Sequence, residues 1–481
     1  MTSDVIKFIL GNKIVEIDFK KENIPPSTTV LNYLRGLPER RGTKEGCSEG
    51  DCGACTVVIG ELDSNNKIVY HAIDSCLLFL PAIHGKQLIT VEDLALRQDQ
   101  KLMLHPVQQA MVEQNGSQCG FCTPGIVMSL LALYKKPKKP TRNTIIQSLS
   151  GNLCRCTGYD PIIKAAFQAC EDPKPDHFSK NEDKIINILN DVISENSSLG
   201  IKTSCQNYFL PTGLNDATKL LAENPTATII NGATDTAIKQ NKTHEFLPEI
   251  IDLSAVDELK SISKKDDGHC IGAGVTIEKL KTFADENLQT LMPMLEVFAS
   301  WQIRNVATIG GNLTTASPVG DLIPLLIAHK AQLKLGNHKH TRWVPIEDFI
   351  IDYRTTCLEP EELLLNIFIP VQEAGIIIQS QKISTRRLLD ISTLSIAIRL
   401  KTTDNNVVED IILAYGGMAE KPKRAINTES YLYGKHITIQ TLEQAGDLLE
   451  KDFTPISDAR ANKNYRMIAA KNLLLNMINQ K

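Results

Sequence analysis

The segment CSEGDCGAC, beginning at Cys47, places three thiols within nine residues, and a fourth, Cys76, follows Cys55 after 20 more. This C-x4-C-x2-C spacing with a distant fourth cysteine matches the plant-type 2Fe–2S pattern, in which thiolates bind soft iron. Gly46, Gly50, Gly53 and Ala54 are interleaved with these thiols. Their small size lets the backbone wrap closely and bring its N–H groups toward the sulfurs of a cluster. A structural zinc site also takes four thiolates, but it usually pairs two short C-x2-4-C knuckles.

A second set is made of two close pairs, Cys119 with Cys122 in CGFC and Cys154 with Cys156 in LCRC, separated by 31 residues. Four thiolates in two pairs suit a four-coordinate site, and on spacing alone zinc fits as easily as iron. Each pair precedes an expected helix: Thr123, Pro124 and Gly125 read as a cap leading into IVMSLLALY, and Asp160 with Pro161 leads into IIKAAFQAC. The partial positive charge of a helix N-terminus favours an anionic cluster. Upstream, VIKFIL and KIVEIDF alternate as hairpin strands about Gly11 and Asn12.

The whole chain sets the context for these thiols. At 481 residues it exceeds one ordinary core, so several domains are expected. It is 42% hydrophobic and 22% charged, with 52 basic against 56 acidic residues, the balance of a globular protein. A formal charge of −4 and the lack of a basic stripe with aromatics speak against nucleic acid as a partner. The start MTSDVIKFILGNKIVEIDF lacks a signal-peptide pattern, and no run reaches the roughly 18 apolar residues of a membrane helix. A cytoplasmic protein with no membrane partner is therefore expected, and in a reducing compartment clustered cysteines are metal ligands or catalysts more often than disulfides.

The run CSEGDCGACTV with Cys76, then QCGFCTPG and GNLCRCTGYDPI, resembles the two iron–sulfur motifs of the molybdenum hydroxylase family, which includes xanthine dehydrogenase, aldehyde oxidase and carbon monoxide dehydrogenase. The resemblance implies two 2Fe–2S clusters, one on Cys47, Cys52, Cys55 and Cys76 and one on Cys119, Cys122, Cys154 and Cys156. It implies an α+β multidomain chain: a β-grasp ferredoxin-like domain at 1–90, a four-helix-type 2Fe–2S bundle at 91–170, and a linker at 171–204. A two-part α/β flavin-binding domain of the non-Rossmann type then spans 205–372, and a C-terminal sheet-plus-helices domain 376–481. The charged EDPKPDHFSKNEDK marks the linker independently, and KIINILNDVI within it has helical spacing.

Two glycine-containing loops follow β-branched runs, ATIINGATDTAIK at 227–239 and IRNVATIGGNLTTASPVGD at 303–321. Neither is a Walker loop or a G-x-G-x-x-G fingerprint, and each alone reads as an ordinary turn. Together they resemble the pyrophosphate-binding loops of the family's flavin domain. The resemblance implies FAD contacts from Asn231, Gly232, Ala233, Thr234, Asp235, Thr308, Gly311, Asn312, Thr315 and Asp321, with Phe298 near the flavin. Ala233 stands where glycine is expected equally. Asp321 also reads as a helix cap before LIPLLIAH. KPKR at 421–424 reads as a solvated loop, and Cys170, Cys205, Cys270 and Cys357 as buried small hydrophobes.

By resemblance, the chain corresponds to the small, iron–sulfur and FAD subunit of the two-subunit bacterial xanthine dehydrogenase type. The implied role is an electron relay from a molybdopterin centre on a large partner, through both clusters to FAD and on to NAD, in a heterotetramer of two small and two large chains. Oxidation of hypoxanthine or xanthine would belong to the partner, so no residue of this chain is expected to be catalytic. Gln118 is implied as a contact to the pterin, against the plainer reading of a side chain satisfying a helix end. The alternatives are the same relay serving aldehyde, heterocycle or carbon monoxide oxidation, and a zinc-stabilised, non-catalytic assembly module.

Overall fold

Gly11 adopts φ 62° and turns strand Val5–Leu10 back into strand Lys13–Asp18, the hairpin expected from the sequence. The computed structural model describes residues 4–98, 101–195 and 198–477. Two units are formed, residues 1–256 with 300–307 and residues 257–299 with 308–481.

In the first unit the hairpin joins a five-stranded sheet in the order Lys13–Asp18, Val5–Leu10, Gln87–Ile89, Thr56–Leu62, Ile68–Asp74. Alternation places Ile6 and Phe8 on the buried face. Helix Val30–Gly36 supplies Val30, Leu31 and Leu34 to the same core, and its first turn is closed by the Thr29 hydroxyl, which accepts from the Asn32 N–H.

Helices Pro106–Glu113, Thr123–Tyr134, Arg142–Ser148 and Asp160–Cys170 follow. Thr123–Tyr134 is apolar all round and buried from Gly125 to Tyr134, so it forms the centre of this group. It begins one residue earlier than the expected cap: Cys122 occupies the N-cap position, Thr123 is already helical, and the Thr123 hydroxyl bonds Ser117 instead.

The linker region is docked. Phe178 and, on helix Glu182–Glu195, Ile185 and Leu189 are buried in the core of the helical group. Asp176 is buried with them, paired with His105 and Lys135 at 2.9 and 2.5 Å. A four-stranded sheet completes the unit in the order Thr228–Ile230, Glu249–Asp252, Asn207–Leu210, Leu199–Lys202; the last strand is antiparallel to its neighbour and the other three are parallel.

The second unit has a five-stranded antiparallel sheet, Ile262–Lys265, Gly268–Gly272, Leu363–Pro370, Gln332–Gly336, Thr341–Pro345. A four-stranded sheet, Ile377–Ile383, Leu394–Thr402, Val408–Gly416, Lys423–Arg424, packs helices Ile426–Leu432, Ile439–Asp452 and Lys463–Leu475 into one core. The KPKR segment is therefore not a free solvated loop. Lys423 and Arg424 form the edge strand, Arg424 pairs with Glu429 and Glu347, and Lys421 donates to the Ile350 carbonyl.

Cys170 is buried, Cys270 and Cys357 are half-buried, and Cys205 is exposed. The reading of Cys205 as a buried hydrophobe fails because it sits in the tight turn closed by the Thr203 N–H to the Gln206 carbonyl. Among the described residues, no helix is long and apolar enough to cross a membrane.

Candidate iron–sulfur and flavin site

The first thiol loop is shaped by left-handed residues, Ser48 (φ 55°), Gly50 (φ 78°) and Gly53 (φ 65°). Its curvature turns N–H groups onto sulfur: Asp51 donates to Cys47 Sγ at 3.1 Å, Glu49 to the same atom at 3.5 Å, and Cys47 to Cys52 Sγ at 3.3 Å. A Cβ on Gly46 would lie 2.7 Å from Cys52 Sγ, so the chain is drawn in to the limit that glycine permits. The free thiols of Cys47 and Cys52 share a hydrogen bond. That bond holds Cys47 down to about 5 and drives Cys52 well up.

Cys55 and Cys76 form the buried half of this set. Their mutual bond, then burial, raises Cys55. Cys55 Sγ also faces Asp74 Oδ1 at 3.7 Å. Burial first, then the negative charge of Cys47, pushes Asp74 up to about 8. Its Oδ2 is buried without a hydrogen-bond partner. Asp74 thus contacts Cys55 in the buried half of the set and feels the charge of Cys47 in the other.

The second set assembles from distant segments. All four thiols are free; a hydrogen bond between Cys119 and Cys156 raises Cys156, and Cys122 and Cys154 share another. Burial, and then Cys154, pushes Cys122 up to about 12. At Cys154 burial acts upward, but the Thr157 hydroxyl at 3.2 Å and further hydrogen bonds outweigh it, so the thiol ends below its ordinary value. Tyr159, at φ 70°, stands at the N-cap position without a side-chain cap bond, so Asp160 is already helical, and the Tyr159 hydroxyl accepts from the Cys154 N–H at 2.8 Å. Cys119, Cys156 and the neighbouring Gln118, Phe121 and Leu153 are exposed, whereas Cys154 is buried.

The two sets meet. The Leu153 N–H, one residue before Cys154, donates to the Cys52 carbonyl at 3.0 Å. A Cβ on Gly125, in the helix after Cys122, would lie 2.0 Å from the Gly53 carbonyl oxygen. Sequence spacing gave no sign of Asn152 and Gln302, which support this junction.

The flavin-loop residues divide between the units. In the first, Asn231 to Asp235 link strand Thr228–Ile230 to helix Thr236–Thr243. Gly232 has φ 88°, and a Cβ there would lie 2.1 Å from the Val306 carbonyl oxygen. Ala233 has φ 56°, so the position where glycine was equally expected does hold the left-handed backbone.

In the second unit, Thr308 caps helix Ile309–Thr314 by accepting from Gly311 N–H at 3.0 Å, and Thr315 ends that helix. Asn312 Oδ1 is buried without a hydrogen-bond partner, and Phe298 is buried. Asp321 stands at the N-cap position of Leu322–Ala328, but its side chain makes no cap bond. Lys382 at 2.8 Å and the Ser392 hydroxyl take its two oxygens instead. Lys382 also lines a cavity of about 380 Å³ with Val297, Ile383, Ser384 and Arg387. None of these five residues was singled out from the sequence; the basic pair in KISTRR, directly after a strand, was the available signal.

The clustered thiols and the glycine-containing loops are those of an iron–sulfur flavoprotein, which the comparisons with known proteins support. Known families match the same segments: a [2Fe-2S] binding domain over 90–167, the FAD binding domain in molybdopterin dehydrogenase over 202–372, and the CO dehydrogenase flavoprotein C-terminal domain over 379–480. The chain belongs to the molybdenum hydroxylase family, of which it carries the iron–sulfur and flavin domains.

It is 32% identical to xanthine dehydrogenase of Emericella nidulans over 94% of this chain and 36% of that protein. The chain thus spans about a third of the length of the curated relatives it matches. Among solved structures, a carbon monoxide dehydrogenase from Hydrogenophaga pseudoflava matches at TM-score 0.54 and 25% identity, over 56% of this chain and 95% of that one. Quinoline 2-oxidoreductase from Pseudomonas putida 86 matches at 0.53 and 25%, over 57% and 95%.

Proposed function

We propose that this electron-relay chain serves a xanthine dehydrogenase: the substrate-oxidising molybdopterin centre is on a larger partner, two small and two large chains form a heterotetramer, and NAD is the final acceptor in the cytoplasm. The observation carrying the relay is the hydrogen bond from Leu153 to Cys52, which joins the two thiol sets directly. Xanthine is favoured because similarity to a xanthine dehydrogenase runs through 94% of this chain, iron–sulfur and flavin portions together.

The residues fit the cofactors. Cys47, Cys52, Cys55 and Cys76 would hold one 2Fe–2S cluster and Cys119, Cys122, Cys154 and Cys156 the other. The glycine at position 46 leaves the space that a Cβ would fill, and the N–H groups of Glu49 and Asp51 stabilise negative charge at Cys47. FAD would be held by Asn231, Gly232, Ala233, Thr234, Asp235, Phe298, Thr308, Gly311, Asn312, Thr315 and Asp321; the unpartnered Asn312 Oδ1 is an acceptor awaiting a donor. When bound, the clusters carry single electrons and FAD exchanges a pair as hydride with NAD. We read residues 1–90 as the β-grasp domain, 91–170 as the four-helix-type bundle, 171–204 as the linker, 205–372 as the two-part flavin domain and 376–481 as its companion.

Gln118 and the exposed Cys119 and Cys156 are placed in this reading against the partner's pterin. The chain alone should reduce an artificial acceptor with NADH but leave hypoxanthine and xanthine untouched until the large chain is added. Gln118→Ala should slow purine-dependent reduction of the clusters while NADH-dependent flavin reduction stays unchanged. Purine oxidation by this chain alone would sink the subunit assignment, and equal slowing of both half-reactions would remove Gln118 from the interface.

The likeness to carbon monoxide dehydrogenase and quinoline 2-oxidoreductase structures favours a second reading, the same relay beside a different molybdenum centre. Assay of the assembled enzyme with xanthine, an aldehyde, quinoline and carbon monoxide separates the two. A colourless chain carrying zinc in place of iron would instead indicate the non-catalytic assembly module.

A further inference from the structure

Asn152 is 2% exposed, yet all four hydrogen-bonding positions of its amide are used. Its Oδ1 accepts from the Ser129 hydroxyl at 2.6 Å and from Gln302 Nε2 at 2.8 Å. Its Nδ2 donates to the Gly53 carbonyl and to Thr56 Oγ1, each at 3.1 Å. The Gly53 oxygen can only accept, so chemistry dictates which way the amide faces. Gln302 is fully buried, and its Nε2, which has two hydrogens, lies within hydrogen-bond distance of Ser129 Oγ and the Ser148 carbonyl as well as of Asn152 Oδ1.

The placement of this amide is specific. Gly53 directly follows Cys52, and Asn152 directly precedes Leu153 and Cys154. The Leu153-to-Cys52 bond and the Asn152-to-Gly53 bond are therefore consecutive rungs between the two thiol loops. The loops have no slack, since a Cβ on Gly53 would fall 2.3 Å from the Gly151 carbonyl oxygen. The Asn152 amide, buried with both Oδ1 and both Nδ2 positions used, holds one geometry, because displacing it leaves its own polar groups unpaired; Gln302 Oε1 beside it is buried without a partner.

We propose that Asn152 is a positioning residue that sets the spacing between the two iron–sulfur sites by clamping the Gly53 carbonyl to the Cys154 loop. This rests on the reading of each thiol set as a 2Fe–2S site. Asn152 touches no thiol; it acts through the backbone of Cys52 and Leu153.

The test uses the full chain with both clusters assembled. Asn152→Asp keeps the volume and the acceptor side but turns a carboxylate oxygen toward the Gly53 carbonyl. Thr56→Val removes one partner of the same amide and guards against a variant that fails to fold. Two readouts apply: the magnetic interaction between the two reduced clusters in electron paramagnetic resonance, and hydrogen exchange of the Leu153 amide. Asn152→Asp should weaken the magnetic splitting and raise Leu153 exchange roughly five- to tenfold, the scale of one lost hydrogen bond. Iron content and the separate signal of each cluster should stay as in the parent, and Thr56→Val should give the same changes in smaller degree.

Gln302→Leu removes one donor to the Asn152 oxygen but leaves both Nδ2 bonds, including the one to Gly53, and should weaken the splitting less than Asn152→Asp. An unchanged splitting in Asn152→Asp, an equal loss in Gln302→Leu, or loss of either cluster in Asn152→Asp would overturn the proposal. Lack of iron in the parent chain would instead overturn the cluster reading, so the two failures are distinguishable.

Discussion

Gly232 faces the carbonyl of Val306 so closely that a single added Cβ would sit 2.1 Å from its oxygen. At φ 88° the backbone also occupies the left-handed side that only glycine enters freely. Both facts act on the candidate flavin loop. Gly232→Val should empty the flavin site, since the branched side chain adds to both problems; Gly232→Ala should cost at least ~1–2 kcal/mol from backbone strain alone. Flavin absorbance per chain and the thermal unfolding midpoint measure the two effects, and full flavin occupancy in Gly232→Val would show that the loop is misassigned.

Ala233 carries the opposite expectation. Its φ of 56° strains an alanine by about 1–2 kcal/mol, while glycine's extra freedom in the unfolded chain costs about 0.5–1 kcal/mol. Ala233→Gly should therefore stabilise the protein by up to ~1.5 kcal/mol as the difference of these two terms. A lower denaturation midpoint in this variant would count against the strain argument.

Cys122→Ser and Cys55→Ser should each remove one cluster signal and spare the other, as the proposed assignment of these thiols to two separate sets requires; Cys55 pairs with Cys76 and Cys122 with Cys154. Iron content should fall by about half, as two clusters of equal iron content imply. Electron paramagnetic resonance reports which signal survives, and simultaneous loss of both signals from either substitution would contradict two independent sites.

Asp176 predicts an acid-sensitive contact. Burial works to raise its pKa, but bonds from His105 and Lys135 outweigh it and hold the carboxyl well below its usual range. As pH falls, the unfolded chain takes up this proton first. The stabilisation is therefore complete above about pH 4 and is lost as pH falls toward the lowered native value. Asp176→Asn leaves Lys135 buried beside an uncharged partner and should cost about 3–5 kcal/mol near neutrality, with a flatter stability profile below pH 4. Urea titrations at pH 3, 5 and 7 measure this; identical acid profiles would remove Asp176 from the account.

Much of the candidate site was legible because its chemistry is local. C-x4-C-x2-C confines three ligands to one loop, and the glycines between them bend that loop by their own backbone freedom, as Gly50 and Gly53 do. The Gly11 hairpin and the apolar Thr123–Tyr134 helix were readable for the same reason: period and turn residues act over a few neighbours.

Other outcomes depended on partners far away in the chain. Asp321 has a cap residue's type and position, but a lysine 61 residues later takes its carboxylate, and a buried ion pair outweighs a single cap bond. Lys423 and Arg424 look like solvated charges until an edge strand takes up both and two glutamates pair with Arg424.

By itself the sequence determined which thiols are available, how they group, and where backbone must turn left-handed, since these follow from side-chain type and short-range sterics. Only the tertiary structure decided that Cys119 meets Cys156, that Leu153 bonds Cys52, and that Asn152 spans both loops. Those contacts join segments about a hundred residues apart in the case of Asn152 and Gly53. Packing of the intervening helices and sheet sets them, and no local pattern encodes it.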